Sequence, residues 1–337
     1  MTYSYSAYGL TLASDTWLPG LRQEIKDHAP PDVEFSLGPE PHWVREATHL
    51  PSCVEHPRPG APDGQECVRL SSFNAGDFYQ LEYSDGTRFV LDREAKRLWG
   101  TFRPPLTLED FATYLSGPVL GFVLRRRDIT ALHASALSIR GRAVVLCGES
   151  ESGKSTTLAA LALRKFAVLT EDISPIKEES GTLYIEPGYP RVCLWPDAVE
   201  KLFGDSEALP RLTPTWEKRF LALDGVRGAF EPQRQRLGAV YLLSSRADEV
   251  EAPYIQELSM RDALLLLVQN TYMSWVLDRD QRAAELDLLT KVVERVPVRR
   301  IVPHVHPARI GALCDLIAED ACRLFIDEKS AANNSHG

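Results

Sequence analysis

The sequence has no excess of positive charge, no paired cysteines and no long apolar run. Its 38 lysines and arginines are outnumbered by 47 aspartates and glutamates, and the net charge of −9 argues against a general nucleic-acid binder. The 6 cysteines include no C-x-x-C pair, which argues against a zinc site or a disulfide framework and favours a reducing compartment. The apolar segment 263–268 is too short to span a bilayer.

The N-terminal segment also lacks the basic region and apolar core of a signal peptide. We therefore expect a cytoplasmic protein that binds neither membranes nor nucleic acid. The acidic balance would suit a basic peptide partner, but it serves solubility equally well. With 337 residues, of which 44% are hydrophobic and 25% charged, the chain is long enough for two globular domains.

One glycine-containing segment carries the clearest chemical signal. Residues 148–156 satisfy G-x-x-x-x-G-K-[ST] and lie between the apolar run 143–147 and the helix-like run 157–163. In such a phosphate-binding loop, backbone N–H groups surround an anion and the next helix points its N-terminus at the phosphates. Lys154 would reach the β- and γ-phosphates, and Ser155 would offer its hydroxyl to Mg²⁺. The predicted nucleotide-binding residues are Gly148, Glu149, Ser150, Glu151, Ser152, Gly153, Lys154, Ser155 and Thr156.

Two adjacent acids follow the next apolar run. The run 166–170 ends at Glu171 and Asp172, and ligands of open α/β folds bind at this carboxyl edge of a sheet. One carboxylate would hold Mg²⁺ while the other takes a proton from an attacking hydroxyl. We predict Ser155 and Asp172 as the metal ligands. The alternative interpretation of the two acids is a cap or turn ahead of the segment 174–175.

His133 and Arg191 complete the predicted catalytic set. His133 lies in a strand-like run before the phosphate loop, where it could hydrogen-bond one of the acids; the alternative is a buried core histidine. Arg191 follows a proline-framed loop and could bind a carboxylate or a phosphoryl group, or form a surface salt bridge. His304 and His306 would face one side of a strand, but no third metal ligand is apparent. The predicted catalytic residues are His133, Lys154, Glu171, Asp172 and Arg191.

Turn-forming residues and hydrophobic periodicity predict an α/β chain with two domains. The first is small and mostly β, with strands at 32–37, 66–70, 78–83, 88–91 and 97–102 and a Pro/Gly-rich loop at 57–64. Thr107 and Asp110 form a capping box that opens a helix. The second domain has strands at 129–138, 142–147, 166–170, 183–186, 237–243 and 296–302, and helices at 153–165, 261–277, 282–293 and 308–324. The predicted boundaries are 1–103 for the first domain, 104–127 for a linking helix, 128–326 for the phosphate-loop domain and 327–337 for a disordered tail.

The stretch 133–172 resembles the catalytic domain of the HPr kinase/phosphorylase family, bacterial enzymes that phosphorylate a serine of a sugar-transport phosphocarrier. The shared features are a histidine on a strand, the hairpin turn 140–142, the phosphate loop and an acidic pair after the next strand. The resemblance implies a P-loop kinase domain that uses ATP, or another nucleoside triphosphate, and Mg²⁺. It places His133 against the acidic pair and makes one acid the catalytic base.

Three departures from that family restrict what the resemblance implies. Glu151 stands where the family has a glycine, which adds negative charge beside the phosphates. Glu171 replaces the first of two aspartates, which leaves open which acid is the base and which the metal ligand. The later glycine-rich acidic segment is missing, so we expect neither phosphorolysis nor the phosphocarrier substrate.

Short matches over most of the chain resemble a narrower group, the HPr-kinase-like proteins that accompany biosynthesis of ribosomally made peptides, particularly lasso peptides. They include segments 5–12, 187–191, 194–197 and 270–272. That resemblance implies a serine at the C-terminal end of a precursor peptide as the acceptor. We therefore predict a precursor-peptide serine kinase. The alternatives are a small-metabolite kinase and a non-catalytic nucleotide-binding scaffold. The phosphocarrier kinases form hexamers, so a homo-oligomer is also considered.

Overall fold

The computed structural model describes residues 2–24, 30–55 and 68–334, which form two compact units. Unit 1 comprises 1–129, 213–216 and 273–282, and unit 2 comprises 130–212, 217–272 and 283–337. The predicted loop at 57–64 lies outside the described residues. No helix in the described part of the chain is long and apolar enough to cross a membrane.

Unit 1 contains a nine-stranded sheet with the order β3-β1-β2-β4-β9-β8-β7-β6-β5. Neighbouring strands are antiparallel except for the parallel pairs β2–β4 and β4–β9. Large side chains such as Trp99 and Phe89 are buried, as the alternating pattern predicts. The strands are β1 (Tyr3–Ala7), β2 (Leu10–Ser14), β3 (Arg22–Gln23), β4 (Val33–Leu37), β5 (Ser52–Glu55), β6 (Val68–Phe73), β7 (Phe78–Tyr83), β8 (Arg88–Asp92) and β9 (Arg97–Thr101).

Three helices belong to unit 1: α1 (His42–Thr48), α2 (Leu108–Tyr114) and α3 (Leu120–Arg126). The predicted capping box forms at the start of α2, where the Thr107 side chain and the Asp110 side chain each bond the other's backbone. A π-helical turn that contains Pro118 joins α2 to α3. This distortion fits proline's missing N–H, which cannot take part in a regular helical hydrogen bond.

Unit 2 contains a mixed sheet with the order β10-β14-β15-β18-β12-β11-β13, and β20 extends it beside β18 and carries β19. The pairs β12–β18 and β18–β20 are parallel, so their carboxyl ends meet at one edge. A separate two-stranded sheet pairs β16 with β17. The strands are β10 (Ala131–Leu132), β11 (Ala134–Ile139), β12 (Arg142–Gly148), β13 (Ala167–Thr170), β14 (Ser174–Glu179), β15 (Thr182–Ile185), β16 (Arg191–Leu194), β17 (Arg219–Ala222), β18 (Gln235–Leu243), β19 (Tyr254–Glu257) and β20 (Val298–Val302).

Helices cover both faces of the unit 2 sheet. They are α4 (Lys154–Leu163), α5 (Pro196–Phe203), α6 (Met260–Gln269), α7 (Arg279–Arg295) and α8 (Ile310–Asn334). One core cluster packs β12 residues Val144 and Leu146 with α4, α5 and α8. The other packs the alternate β12 residues Val145 and Cys147 with α6 and α7. The β12 strand is therefore buried on both sides, and its carboxyl end carries the phosphate loop.

Four predicted elements differ from the structure. The strand at 129–138 is interrupted at His133, because the backbone N–H of that residue donates to the Asn270 carbonyl instead of to a strand. The helix at 261–277 stops at Gln269. His304 and His306 lie in the turn after β20 rather than on a strand. The last helix extends to Asn334, beyond its predicted end at 324.

Candidate active site

The phosphate loop joins the carboxyl end of β12 to α4, and two of its glycines are required by geometry. Gly148 has φ 152°, and a Cβ there would lie 2.6 Å from Ser152 Oγ and 2.7 Å from the Leu243 carbonyl oxygen. Gly153, at the N-cap of α4, has φ 101° in the left-handed region. Glycine therefore lets the chain fold back closely enough to form a loop at the N-terminus of the helix.

Lys154 lies within this loop. Its side chain is buried, and Nζ donates to the carbonyl oxygens of Gly148 at 2.8 Å and Glu149 at 2.9 Å. Burial lowers the pKa of the ammonium group, while the nearby charge of Asp172 acts in the opposite direction. The loop thus holds a desolvated positive charge at the place where a phosphate-binding loop needs one.

The loop also offers polar groups that fit an anion. The Oγ atom of Ser152 is buried and has no hydrogen-bond partner within the described residues. The backbone N–H of Ser152 donates to Glu149, which tightens the turn. Together with the ammonium group of Lys154 and the N-terminus of α4, these groups form a cradle suited to phosphate oxygens.

Ser155 and Glu171 form the first of two contacts that involve the acidic pair. Ser155, at the first turn of α4, donates from Oγ to Glu171 Oε1 at 2.9 Å. Glu171 follows β13 and is only 6% exposed. Burial, with the adjacent charge of Asp172, raises the pKa of Glu171 from 4.5 to about 7. In the structure the hydrogen-bond partner of Ser155 is therefore Glu171, whereas the sequence analysis predicts Ser155 and Asp172 as the two metal ligands.

Asp172 turns away from Glu171 and meets His133. Its backbone has φ 68°, in the left-handed region, and its Oδ1 lies 2.9 Å from His133 Nε2. Burial raises the pKa of Asp172, but the hydrogen bond and charge of His133, together with the charges of Lys218 and Lys154, outweigh burial, so the pKa is lowered overall. About 40% of each side chain is exposed, at 38% for His133 and 41% for Asp172. This carboxylate is therefore ionised and reachable by a second reactant.

Arg191 and Lys218 bring positive charge to the acids. Arg191, at the start of β16, is buried, and its guanidinium carbon lies 5.0 Å from the centre of the Tyr189 ring. Its charge lowers the pKa of Glu171, and Lys218 lowers the pKa of both Glu171 and Asp172. Lys218 Nζ also lies 5.0 Å from the ring centre of Trp195, which is 56% exposed.

Sequence reasoning missed the role of Asn270, the C-cap of α6. Its Oδ1 accepts from the backbone N–H of Gly148 at 3.1 Å, and its Nδ2 donates to the Leu266 carbonyl at 2.8 Å. Its own carbonyl accepts from the backbone N–H of His133 at 2.7 Å. One residue thus fixes both the start of the phosphate loop and the histidine. No local motif marks it, because its partners lie far away along the chain.

Two cavities adjoin the phosphate loop within unit 2. The larger has a volume of about 840 Å³, and His133, Asn270, Arg246 and Arg300 are among the residues that line it. The smaller has a volume of about 110 Å³, beside Gly153. Among the described residues, no group of three or more His, Cys, Asp or Glu side chains could hold a metal ion. A metal here would depend on Ser155, the acids and a bound phosphate together, as Mg²⁺ commonly does.

Comparisons with known proteins add a similarity to solved structures. No protein-family model matches the chain, and no curated protein matches it. Among solved structures, the HPr(Ser) kinase/phosphatase from Coxiella burnetii is similar, with 14% sequence identity, 61% of this chain and 98% of that chain covered, and a TM-score of 0.36.

Proposed function

We propose that this protein is an ATP- and Mg²⁺-dependent phosphotransferase that phosphorylates a serine hydroxyl of a ribosomally synthesised precursor peptide. The observation that carries the proposal is the pair of contacts beside the phosphate loop. Ser155 donates to Glu171, and His133 lies against Asp172, with 2.9 Å between the bonded atoms in each case. The two acids therefore serve two different ends of one reaction.

The phosphate end consists of the loop, Lys154, Ser155 and Glu171. The loop N–H groups and the Lys154 ammonium group would hold the phosphates of the nucleotide. The Ser155 hydroxyl and the Glu171 carboxylate would hold Mg²⁺, and their direct contact supports Glu171 rather than Asp172 in this role. When bound, Mg²⁺ would offset the negative charge of the phosphate oxygens.

The acceptor end consists of Asp172 and His133. Asp172 would accept a hydrogen bond from the serine hydroxyl, orient its oxygen and take its proton, while His133 keeps the carboxylate ionised. A low pKa does not disqualify this base, because phosphoryl transfer depends mainly on positioning and charge stabilisation. Arg191 and Lys218, which already act on these acids electrostatically, would stabilise charge on the group in transfer.

Two observations support a peptide as the phosphate acceptor: the volume of the larger cavity and the sequence resemblance. The cavity of about 840 Å³ contains His133 in its wall and would accommodate several residues of an extended peptide. The sequence resemblance to kinases found with lasso-peptide biosynthesis adds the serine acceptor. A small-metabolite acceptor and a non-catalytic nucleotide scaffold are the competing functions, and each has a distinct experimental outcome.

The test is phosphorylation of a precursor peptide encoded beside this gene. The protein is incubated with the peptide, ATP and Mg²⁺, and the intact mass of the peptide is measured. We expect the gain of one phosphoryl group, its loss in Lys154→Ala, and its retention in Lys177→Ala, a change of an exposed lysine on β14. Phosphate transferred only to a small molecule would favour the metabolite kinase.

A pair of amide substitutions tests the scaffold alternative. Glu171→Gln and Asp172→Asn remove negative charge while leaving the side-chain shapes similar. We expect either change to abolish transfer. A biosynthetic pathway that proceeds unchanged with both substitutions would show that nucleotide binding alone matters, and it would refute the kinase.

A further inference from the structure

The smaller cavity beside the phosphate loop contains side chains that the proposed transfer reaction does not use. Its walls come from the first turn of α4, at Gly153 and Thr156, from α8, and from the turn 303–307 after β20. The larger cavity instead borders α6, so the two cavities open on different helical layers of the sheet. The smaller cavity therefore lies apart from the acceptor end.

The strand order indicates what this cavity would hold. The phosphate loop follows β12, and the acids follow β13, which is separated from β12 by β11. The strands β18 and β20 lie on the other side of β12, and the turn 303–307 follows β20. If Ser155 and Glu171 hold the transferring end of a nucleotide on the β13 side, as the proposed function requires, its remaining part would extend toward β18 and β20.

The turn 303–307 is held rigidly. The backbone N–H of Ala247 donates to the Pro303 carbonyl, and the backbone N–H of Val305 donates to the Ala247 carbonyl, both at 2.8 Å. Nδ1 of His304 accepts from the His306 backbone at 2.8 Å. Nδ1 of His306 accepts from the Ala308 backbone at 3.2 Å. These contacts assign the ring proton of each neutral imidazole to Nε2, which is thereby available as a donor.

We propose that this cavity binds the base of a purine nucleotide, with His304 and His306 as its recognition residues. The volume of about 110 Å³ is smaller than the cavity of roughly 150 Å³ that holds benzene, so the cavity would take one edge of a flat heterocycle while the rest of the ring lies outside it. Purine rings carry acceptor nitrogens that match the Nε2–H donors, and their faces pack on imidazole and on the exposed side chain of Val305. This inference rests on the proposed function, because it requires a nucleotide in the phosphate loop.

Arg246 links the base cavity to the phosphates. It lines both cavities, and its Nη2 lies 3.1 Å from the position that a Cβ on Gly153 would occupy. Within the part of the chain that the structure describes, the guanidinium group of Arg246 forms no ion pair with an acidic side chain. Arg246 thus stands over the phosphate loop, between the acceptor side and the proposed base, where it would contact the phosphate chain.

The test compares ATP with inorganic tripolyphosphate, which has the phosphates but no base. Both are titrated in Mg²⁺ by calorimetry into the full chain and into the double variant His304→Asn/His306→Asn. Asparagine keeps an acceptor near the position of Nδ1, so the turn retains its two hydrogen bonds from the backbone. Asparagine lacks the imidazole ring and the Nε2–H donor. We expect the Kd for ATP to rise by about tenfold and the Kd for tripolyphosphate to stay within about twofold.

His42→Asn, a change of an exposed histidine in unit 1, is the matched control and is expected to alter neither affinity. Unchanged ATP affinity in the double variant would overturn the base site. An equal weakening of both ligands would also overturn it, because the histidines would then act on the loop and not on the base. If the wild-type chain binds neither probe, the nucleotide site itself is refuted and the base site with it.

Discussion

Replacement of Glu171 by glutamine is expected to stabilise the protein above neutral pH while it abolishes transfer. Glu171 is buried, and its pKa of about 7 exceeds the ordinary value of 4.5. Between these two values the folded chain binds more protons than the unfolded chain, so the free energy of unfolding falls as pH rises. At 1.36 kcal/mol for each pKa unit, the ionised carboxylate costs up to about 3 kcal/mol at pH 8.

Glutamine removes this cost without removing the contact, because its Oε1 can still accept the hydrogen bond from Ser155. We therefore expect Glu171→Gln to unfold at a higher denaturant concentration than wild type at pH 8. The difference should disappear at about pH 4, where Glu171 is protonated. Denaturant unfolding at both pH values measures it, with Glu200→Gln, an exposed glutamate on α5, as the control.

Two results would refute this reasoning. A variant that is less stable than wild type at pH 8 would mean that the ionised carboxylate is stabilised by its surroundings. A gain of equal size at both pH values would mean that the effect does not arise from ionisation. Magnesium supplies a second check, because it should stabilise wild type and leave Glu171→Gln unaffected if this carboxylate holds the metal.

Three further predictions concern the same site. His133→Ala removes the hydrogen bond and charge that lower the pKa of Asp172, so the acid limb of the pH–rate profile should move to higher pH; an unmoved limb would show that Asp172 does not titrate in catalysis. Asn270→Ala leaves the Gly148 N–H unsatisfied and should cost about 1–3 kcal/mol in unfolding free energy, more than Asn270→Asp, which keeps the acceptor. Gly148→Ala should abolish ATP binding in calorimetry, because the added Cβ meets the Leu243 carbonyl at 2.7 Å; wild-type affinity would contradict the loop geometry.

Local patterns predicted the elements whose structure depends on neighbouring residues. The strand at 78–83 occurs with the predicted bounds, since its alternation places one face in the core. The Thr107 capping box forms because both partners lie within one helical turn. The phosphate-loop sequence likewise contains its own turn chemistry, including the glycine that adopts φ 101° at the start of α4.

Contacts between distant residues could not be predicted in this way. Asn270 bonds to Gly148, 122 positions away, and nothing in either segment specifies the other. Arg219 pairs with Glu207, and nothing in the sequence around either residue specifies the other.

The division of roles between the two acids shows this limit most sharply. The pattern of an apolar strand followed by Glu171 and Asp172 predicts two carboxylates at the edge of the sheet, and it does not predict where each one points. The left-handed φ of 68° at Asp172 turns the chain, so that one carboxylate meets Ser155 and the other meets His133. That backbone conformation is unfavourable for a residue other than glycine and persists only where the surrounding contacts hold it. The same turn gives the two pKa shifts opposite directions. The pKa of Glu171 is raised because the side chain is buried, and the pKa of Asp172 is lowered because its carboxylate lies beside a hydrogen-bond donor. The proposed kinase would need two such different carboxylates, one for the metal and one for the acceptor, and the turn at Asp172 would supply both from adjacent positions.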